Sequence, residues 1–225
     1  MYDLHIANKN YSSWSLRPWV LMKQLEIPFR ERQTAFPVEG NVFRSFSPSG
    51  KVPCLHDGDL VVWDSLAITE YLAERHPTIW PDETHARAWA RCASAEMHSG
   101  FGALRDRCSM SCGMRIELNE TPPALTRDLA RLAELWRDGL ERFGGPFLAG
   151  KEFTAVDAFF CPVAFRIQSY GLVLDEPSSS YAQRLLKLPA MQTWYREALA
   201  ETIRDPAHDD EVAAAGTILE DLRAS

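Results

Sequence analysis

Three serines crowd one short stretch near the N-terminus, Asn10-Tyr11-Ser12-Ser13-Trp14-Ser15-Leu16-Arg17. The alternating segment Tyr2 to Ala7 reads as a strand, and Trp19, Val20, Met22 and Leu25 follow at helical spacing, predicting a helix from about Trp14 to Leu25. The serines therefore stand where a strand hands over to a helix. Unpaired backbone N–H groups and the helix dipole favour an anion at such a junction. A free thiol has a pKa of about 8.5, and donors aimed at its sulfur favour the thiolate. Lowering that pKa by about two units takes roughly 2.7 kcal/mol, within reach of one hydroxyl donor plus a helix terminus. The same hydroxyls also suit ordinary helix capping.

Further groups could bind a ligand. In Lys51-Val52-Pro53, a cis peptide before the proline would turn the Val52 N–H and C=O outward, ready to pair with an extended peptide. Asp64-Ser65 opens a second helix. Its hydroxyl and N–H groups could take a carboxylate while Asp64 takes an ammonium, which suits an α-amino acid head group; a simple cap is the alternative. Thr154 and Asp157 have capping-box spacing and read as structural. The cysteines Cys54, Cys92, Cys108, Cys112 and Cys161 are odd in number and form no CxxC, so reduced thiols are expected and no metal site.

The elements that must position these groups alternate at first. A strand over Phe29 to Gln33 follows the first helix, and residues 38–47 suggest a short, irregular helix. Strands over Val52 to His56 and Leu60 to Trp63 are joined by Asp57-Gly58-Asp59, a strong hairpin signal. A helix follows with Leu66, Ile68, Tyr71 and Leu72 on its apolar positions. The order βαβ, helix, ββα predicts one mixed sheet carrying helices. The proline-bearing segment 77–83 reads as a linker. Beyond it only helical patterns are found: about Thr84 to Cys108, about Pro122 to Phe143, one from near Thr154, one from near Pro189, and a last one over His208 to Ser225. The expected fold is an α/β domain over residues 1–77 and an all-α domain over 84–225. The net charge of −7 argues against nucleic acid as the main partner, because phosphate binding needs a basic surface. No apolar stretch of membrane-spanning length and no signal-peptide pattern is present, so a cytoplasmic protein is expected.

Taken in order, five segments resemble the glutathione transferase superfamily, serine-type, nearest its maleylacetoacetate isomerase or zeta-like branch. They are the serine junction at 12–17, PSGKVPCL at 48–55, DSLAITEYLAE at 64–74, FLAGKEFTAVDAFFCPV at 147–163 and LPAMQTWYREAL at 188–199. The resemblance implies a thioredoxin-like N-terminal domain, a helical C-terminal domain, glutathione as co-substrate without a metal, and a homodimer. It implies that Val52, before the cis Pro53, holds the cysteinyl backbone, that Asp64 and Ser65 hold the γ-glutamyl group, and that Lys51 meets the glycyl carboxylate. It implies a catalytic hydroxyl four or five residues ahead of an arginine, here Arg17, so that Ser13 and Ser12 are the candidates, with Ser13 slightly preferred; Tyr11 fits less well. Trp14 stands where the isomerase branch carries cysteine, which weakens a claim to isomerisation. The second substrate, a small electrophile, is expected against the helix after the linker, with Trp14, Met97, His98, Phe101 and Arg105 as its walls. The stripe of Trp89, Met97, Phe101 and Leu104 suits core equally well. A non-catalytic ligand-binding protein is the competing function. A disulfide reductase is disfavoured because no cysteine falls at the junction.

Overall fold

The computed structural model describes residues 1–36, 40 and 42–224. Strand β1, Tyr2–Ile6, buries Leu4 and Ile6 completely and turns His5 to the opposite face, as its alternation requires. Helix α1 is Ser13–Gln24, and β2, Phe29–Gln33, runs parallel to β1. Strands β3, Cys54–Asp57, and β4, Leu60–Trp63, form the expected hairpin, with Gly58 at φ +60 in the turn. The sheet order is β2-β1-β3-β4, with β3 antiparallel to β1. Helix α2, Ser65–Ala73, completes a thioredoxin-like unit. In the segment expected as a short helix over 38–47, the described part holds a 3-10 turn, Val42–Ser45; Val38, Glu39 and Asn41 lie outside the described residues.

The rest is helical with one exception. The helix expected over about 84–108 is divided into α3, Thr84–Ser99, and α4, Gly102–Arg107. The break falls at Gly100-Phe101. A Cβ on Gly100 would lie 2.7 Å from the Glu96 carbonyl oxygen, and Phe101 takes a left-handed conformation with φ 54 and ψ 43. Strand β5, Met114–Leu118, follows, then α5, Pro123–Phe143, α6, Ala155–Tyr170, α7, Glu176–Leu186, and α8, Pro189–Ala200.

The tail, expected as one helix from His208 to Ser225, is α9, Pro206–Ala215, followed by strand β6, Gly216–Asp221. Strand β6 pairs antiparallel with β5, about a hundred residues earlier in the chain. A side chain at Gly216 would meet the Glu117 carbonyl oxygen at 2.1 Å, so glycine is required where α9 passes into the strand. Local periodicity carries no trace of such a distant partner.

Helix α6 is the hub. Every residue of it except Gln168 is buried, and it packs against α1, α3, α7 and β5. Its N-terminus has the expected capping box: Asp157 accepts from the N–H groups of Thr154 and Leu148, each at 3.0 Å, and from the Tyr181 hydroxyl at 2.8 Å. The α1–α6 packing joins the thioredoxin-like unit to the helical part, so that one core cluster runs through both.

Candidate active site

Residues 8–12, between β1 and α1, are pinned from the helical side. The Glu201 carboxylate accepts from the N–H of Lys9 at 2.6 Å and of Asn10 at 3.1 Å. The Trp194 indole donates to the Lys9 carbonyl at 2.8 Å. The buried Lys9 ammonium pairs with Glu31 at 2.7 Å and with Glu197, and lies over the rings of Trp19 and Trp194. These contacts fix the backbone that delivers the serine pair to the start of α1.

The two serines differ in what their hydroxyls do. Ser12 is the N-cap of α1; its oxygen accepts from the Ser15 N–H at 3.4 Å, and its proton goes to Ser15 Oγ at 2.7 Å. Ser13 Oγ accepts from Arg166 Nη2 at 3.4 Å, and among the described residues it donates to no acceptor. Both serines line an inner cleft of about 420 Å³, together with Trp14, Lys51, Val52 and Arg105. The Tyr11 hydroxyl at its rim is committed elsewhere: it donates to Asp209 Oδ1 at 3.0 Å and accepts from Arg223 Nη1 at 2.9 Å. Burial, the largest cause, raises the pKa of this phenol.

A second, outer trough of about 470 Å³ shares Trp14, Lys51 and Val52 with the inner cleft and adds Pro53, Asp64 and Ser65. The Val52–Pro53 peptide is cis. Among the described residues, neither the N–H nor the C=O of Val52 enters a hydrogen bond. The Ser65 hydroxyl is fully buried and, among the described residues, has no partner. Asp64 caps α2 through Oδ1, which accepts from the Leu66 N–H at 2.8 Å, and holds φ 76, a region rare outside glycine. Its other oxygen faces His98 Nε2 at 3.5 Å.

Of the residues expected to wall the second pocket, Trp14 and Arg105 line the inner cleft. Met97 and Phe101 lie in the core cluster, so for these two the core alternative is the one observed, and neither lines the inner cleft or the outer trough. Leu104 is core as well. His98 braces Asp64 and sets its ring edge-on to Trp14 at 5.2 Å, away from the inner cleft lining. Burial lowers its pKa, as do Arg17 and Arg105, against the opposing pull of Asp64. The inner cleft is also lined by residues that the sequence did not single out: Phe36, Phe43, Ser109, Met110, Arg166 and His208. A signal for Arg166 was present, since it is the one charged residue in the otherwise apolar run Ala158 to Ile167. Nothing local marks Phe36 or His208.

Among the described residues, two guanidinium groups near this site are buried without a carboxylate partner. Arg17 is stacked between Trp14 at 4.1 Å and Phe159 at 5.1 Å, with Nε and Nη1 unpartnered. Burial, then the charges of Arg166 and Arg105, bring its pKa down to about 9. Arg166 donates from Nε to the Cys108 carbonyl at 2.8 Å and leaves Nη1 without a partner. Burial lowers it to about 10, so it stays charged at neutral pH. Among the described residues no group of three or more metal-ligating side chains occurs, and no helix is long and apolar enough to cross a membrane.

Residues 11–75 match the family model for the glutathione S-transferase N-terminal domain. Glutathione S-transferase Z2 of Arabidopsis thaliana is 30% identical over 174 residues, a match covering 71% of this chain and 74% of that protein. The chain belongs to the glutathione S-transferase family. Zeta-like relatives are among its matches, and a probable maleylacetoacetate isomerase of Caenorhabditis elegans is 29% identical over 165 residues, covering 72% of this chain and 77% of that one. The solved theta-class glutathione S-transferase of Xanthomonas axonopodis pv. citri, with glutathione bound, has a TM-score of 0.64 and 22% identity, covering 90% and 99% of the two chains. In this glutathione S-transferase family member the inner cleft and outer trough meet at Trp14, Lys51 and Val52.

Proposed function

We propose that the outer trough binds glutathione and that Ser13 holds its sulfur as a thiolate for attack on a small, partly apolar electrophile in the inner cleft. One observation carries this reading: the Ser65 hydroxyl, buried and unpartnered, lines a trough that continues past Val52 and Lys51 into the cleft of Ser13. A buried donor without an acceptor is destabilising unless a ligand completes it. The γ-glutamyl carboxylate takes that donor, and Asp64 takes the ammonium. The free N–H and C=O of Val52, set by Pro53, pair with the cysteinyl backbone like a short added strand. Lys51 meets the glycyl carboxylate. The protein forms no covalent intermediate; it ionises the thiol and holds two reactants together.

In this reading residues 1–77 are the glutathione-binding domain and residues 84–225 wall the second pocket. A homodimer in the cytoplasm is the expected form. Calorimetric titration with glutathione, followed by aryl-halide conjugation, tests the function. Absence of binding refutes it, and binding without turnover leaves a ligand-binding role.

A second reading, glutathione-dependent cis–trans isomerisation of an anionic alkene, is supported by the lining of the inner cleft. Lys51, Arg105 and Arg166 face a single carboxylate, Asp106, among the described lining residues. Turnover of maleylacetone in preference to an aryl halide would favour it.

A further inference from the structure

Helix α6 reaches the serine junction through a run of polar contacts that nothing in the packing of an apolar helix requires. Arg166 Nε donates to the Cys108 carbonyl at 2.8 Å, Ser169 Oγ to the Ser111 carbonyl at 2.6 Å, and the Tyr170 hydroxyl to the Ser109 carbonyl at 2.8 Å. The segment so held returns its own donors to the serine side: Cys112 N–H goes to the Asn10 carbonyl at 3.2 Å and Gly113 N–H to Asn10 Oδ1 at 2.9 Å. Arg166 therefore has its Nε anchored, its place fixed by a closed network, and one arm on Ser13.

That arm decides the direction of a proton. A serine hydroxyl has one proton to give and lone pairs with which to accept. Arg166 Nη2 occupies the accepting side of Ser13 Oγ, and among the described residues no protein acceptor takes the proton. The O–H is left to point into the inner cleft, which Ser13 and Arg166 both line. A hydroxyl that accepts from a cation is itself a stronger donor, because each hydrogen bond polarises the next. The buried, unpartnered Nη1 keeps positive charge beside the same space.

We propose that Arg166 is the positioning residue for thiolate formation: by donating to Ser13 Oγ it turns the serine proton toward the sulfur and strengthens that hydrogen bond. The inference rests on the function proposed above, with Ser13 as the sulfur's donor. It adds that the helical half of the chain supplies the charge behind that donor.

The test follows the ionisation of bound glutathione by thiolate absorbance, together with kcat/KM for an aryl halide, across pH. Wild type, Arg166→Met and Arg166→Lys are compared, each with and without Ser13→Ala. Arg166→Met is expected to move the thiol midpoint upward by about one pH unit, which is about tenfold less thiolate near neutrality. The rate loss should vanish at alkaline pH, where the thiol ionises unaided. Arg166→Lys, which keeps the charge, should recover part of the shift. Adding Arg166→Met to Ser13→Ala should change the rate by less than about threefold, since the two residues act as a unit.

A midpoint unchanged in Arg166→Met overturns the proposal. So does a rate loss equal at every pH, or losses that multiply in the double variant. If Arg166→Met does not fold, Arg166→Lys decides: a midpoint shifted upward supports the role, and one identical to wild type overturns it. Wild type that binds no glutathione, or binds it with an unshifted thiol, refutes the proposed function instead.

Discussion

Ser12 gives its hydroxyl proton to Ser15 Oγ at 2.7 Å, and Ser15 Oγ in turn accepts from the Ala7 N–H at 3.2 Å. This chain ties the end of β1 to the first turn of α1 and leaves Ser12 with no proton to offer a ligand. Ser13, one residue on, has its proton free. Ser13→Ala should therefore lower kcat/KM for an aryl halide by about a hundredfold or more, the scale of losing a donor to a developing anion. Its glutathione affinity should change little. Ser12→Ala should lose about 1 kcal/mol of stability as an N-cap and keep most of its activity. Steady-state kinetics and denaturant melts on both variants check the pair; equal activity losses would remove the assignment.

Ser65→Ala separates binding from folding. The Ser65 hydroxyl has no partner to lose in the unliganded chain, so thermal stability should be unchanged or slightly higher. If the hydroxyl meets a carboxylate of glutathione, its removal should weaken binding by about 1–2 kcal/mol, near tenfold in Kd. Titration calorimetry beside a thermal melt reads both quantities.

Lys9→Met tests the clamp behind the serine junction. The ammonium is buried between Glu31 and Glu197 and against two indoles. Removing it leaves the partly exposed Glu31 and the exposed Glu197 without their counter-charge, and solvent screening of those carboxylates brings the expected cost to about 1–3 kcal/mol, below that of a fully buried pair. Urea melts of Lys9→Met against wild type measure it, and a loss below 1 kcal/mol, within the range of ordinary surface pairs, would contradict the buried-clamp reading.

Acid stability should carry a signature of His5. Burial, the largest cause, and the neighbouring His56 lower its pKa from 6.5 to about 4, with Asp3 opposing. The ring stacks on Phe46 at 4.2 Å. The folded state prefers neutral His5, so this stabilisation is present above the unfolded pKa of 6.5 and is lost as pH falls toward 4. With allowance for solvent screening of a half-buried group, His5→Asn should flatten the drop by about 1–2 kcal/mol across that interval. Paired melts at neutral pH and near pH 4 would show the difference; parallel curves would refute it.

The regular elements of the thioredoxin-like unit were legible because their signals are local: alternation in β1, Asp57-Gly58-Asp59 in the hairpin, and capping residues ahead of the helices, which the structure narrows from the serine cluster to Ser12 and from the Asp64-Ser65 pair to Asp64. The capping box at Thr154 and Asp157 was legible for the same reason. The break at Gly100-Phe101 was missed because a single glycine in a long amphipathic pattern does not by itself end a helix; the turn of the backbone, extended at Gly100 and left-handed at Phe101, does. The strand β6 was missed because its partner β5 is remote in sequence.

The sequence by itself determined which side chains could serve an anion, Ser12, Ser13, Lys51, Asp64 and Ser65, and which short elements would carry them, since capping, turn formation and alternation act over a few residues. The tertiary structure alone decided how those groups differ. It committed the Ser12 proton to Ser15 and left that of Ser13 free, isolated the Ser65 hydroxyl, drew Met97 and Phe101 into the core, and brought Arg166 from α6 onto Ser13. Each of these depends on contacts between residues far apart in the chain, where burial and hydrogen-bond partners are set by packing rather than by neighbours in sequence.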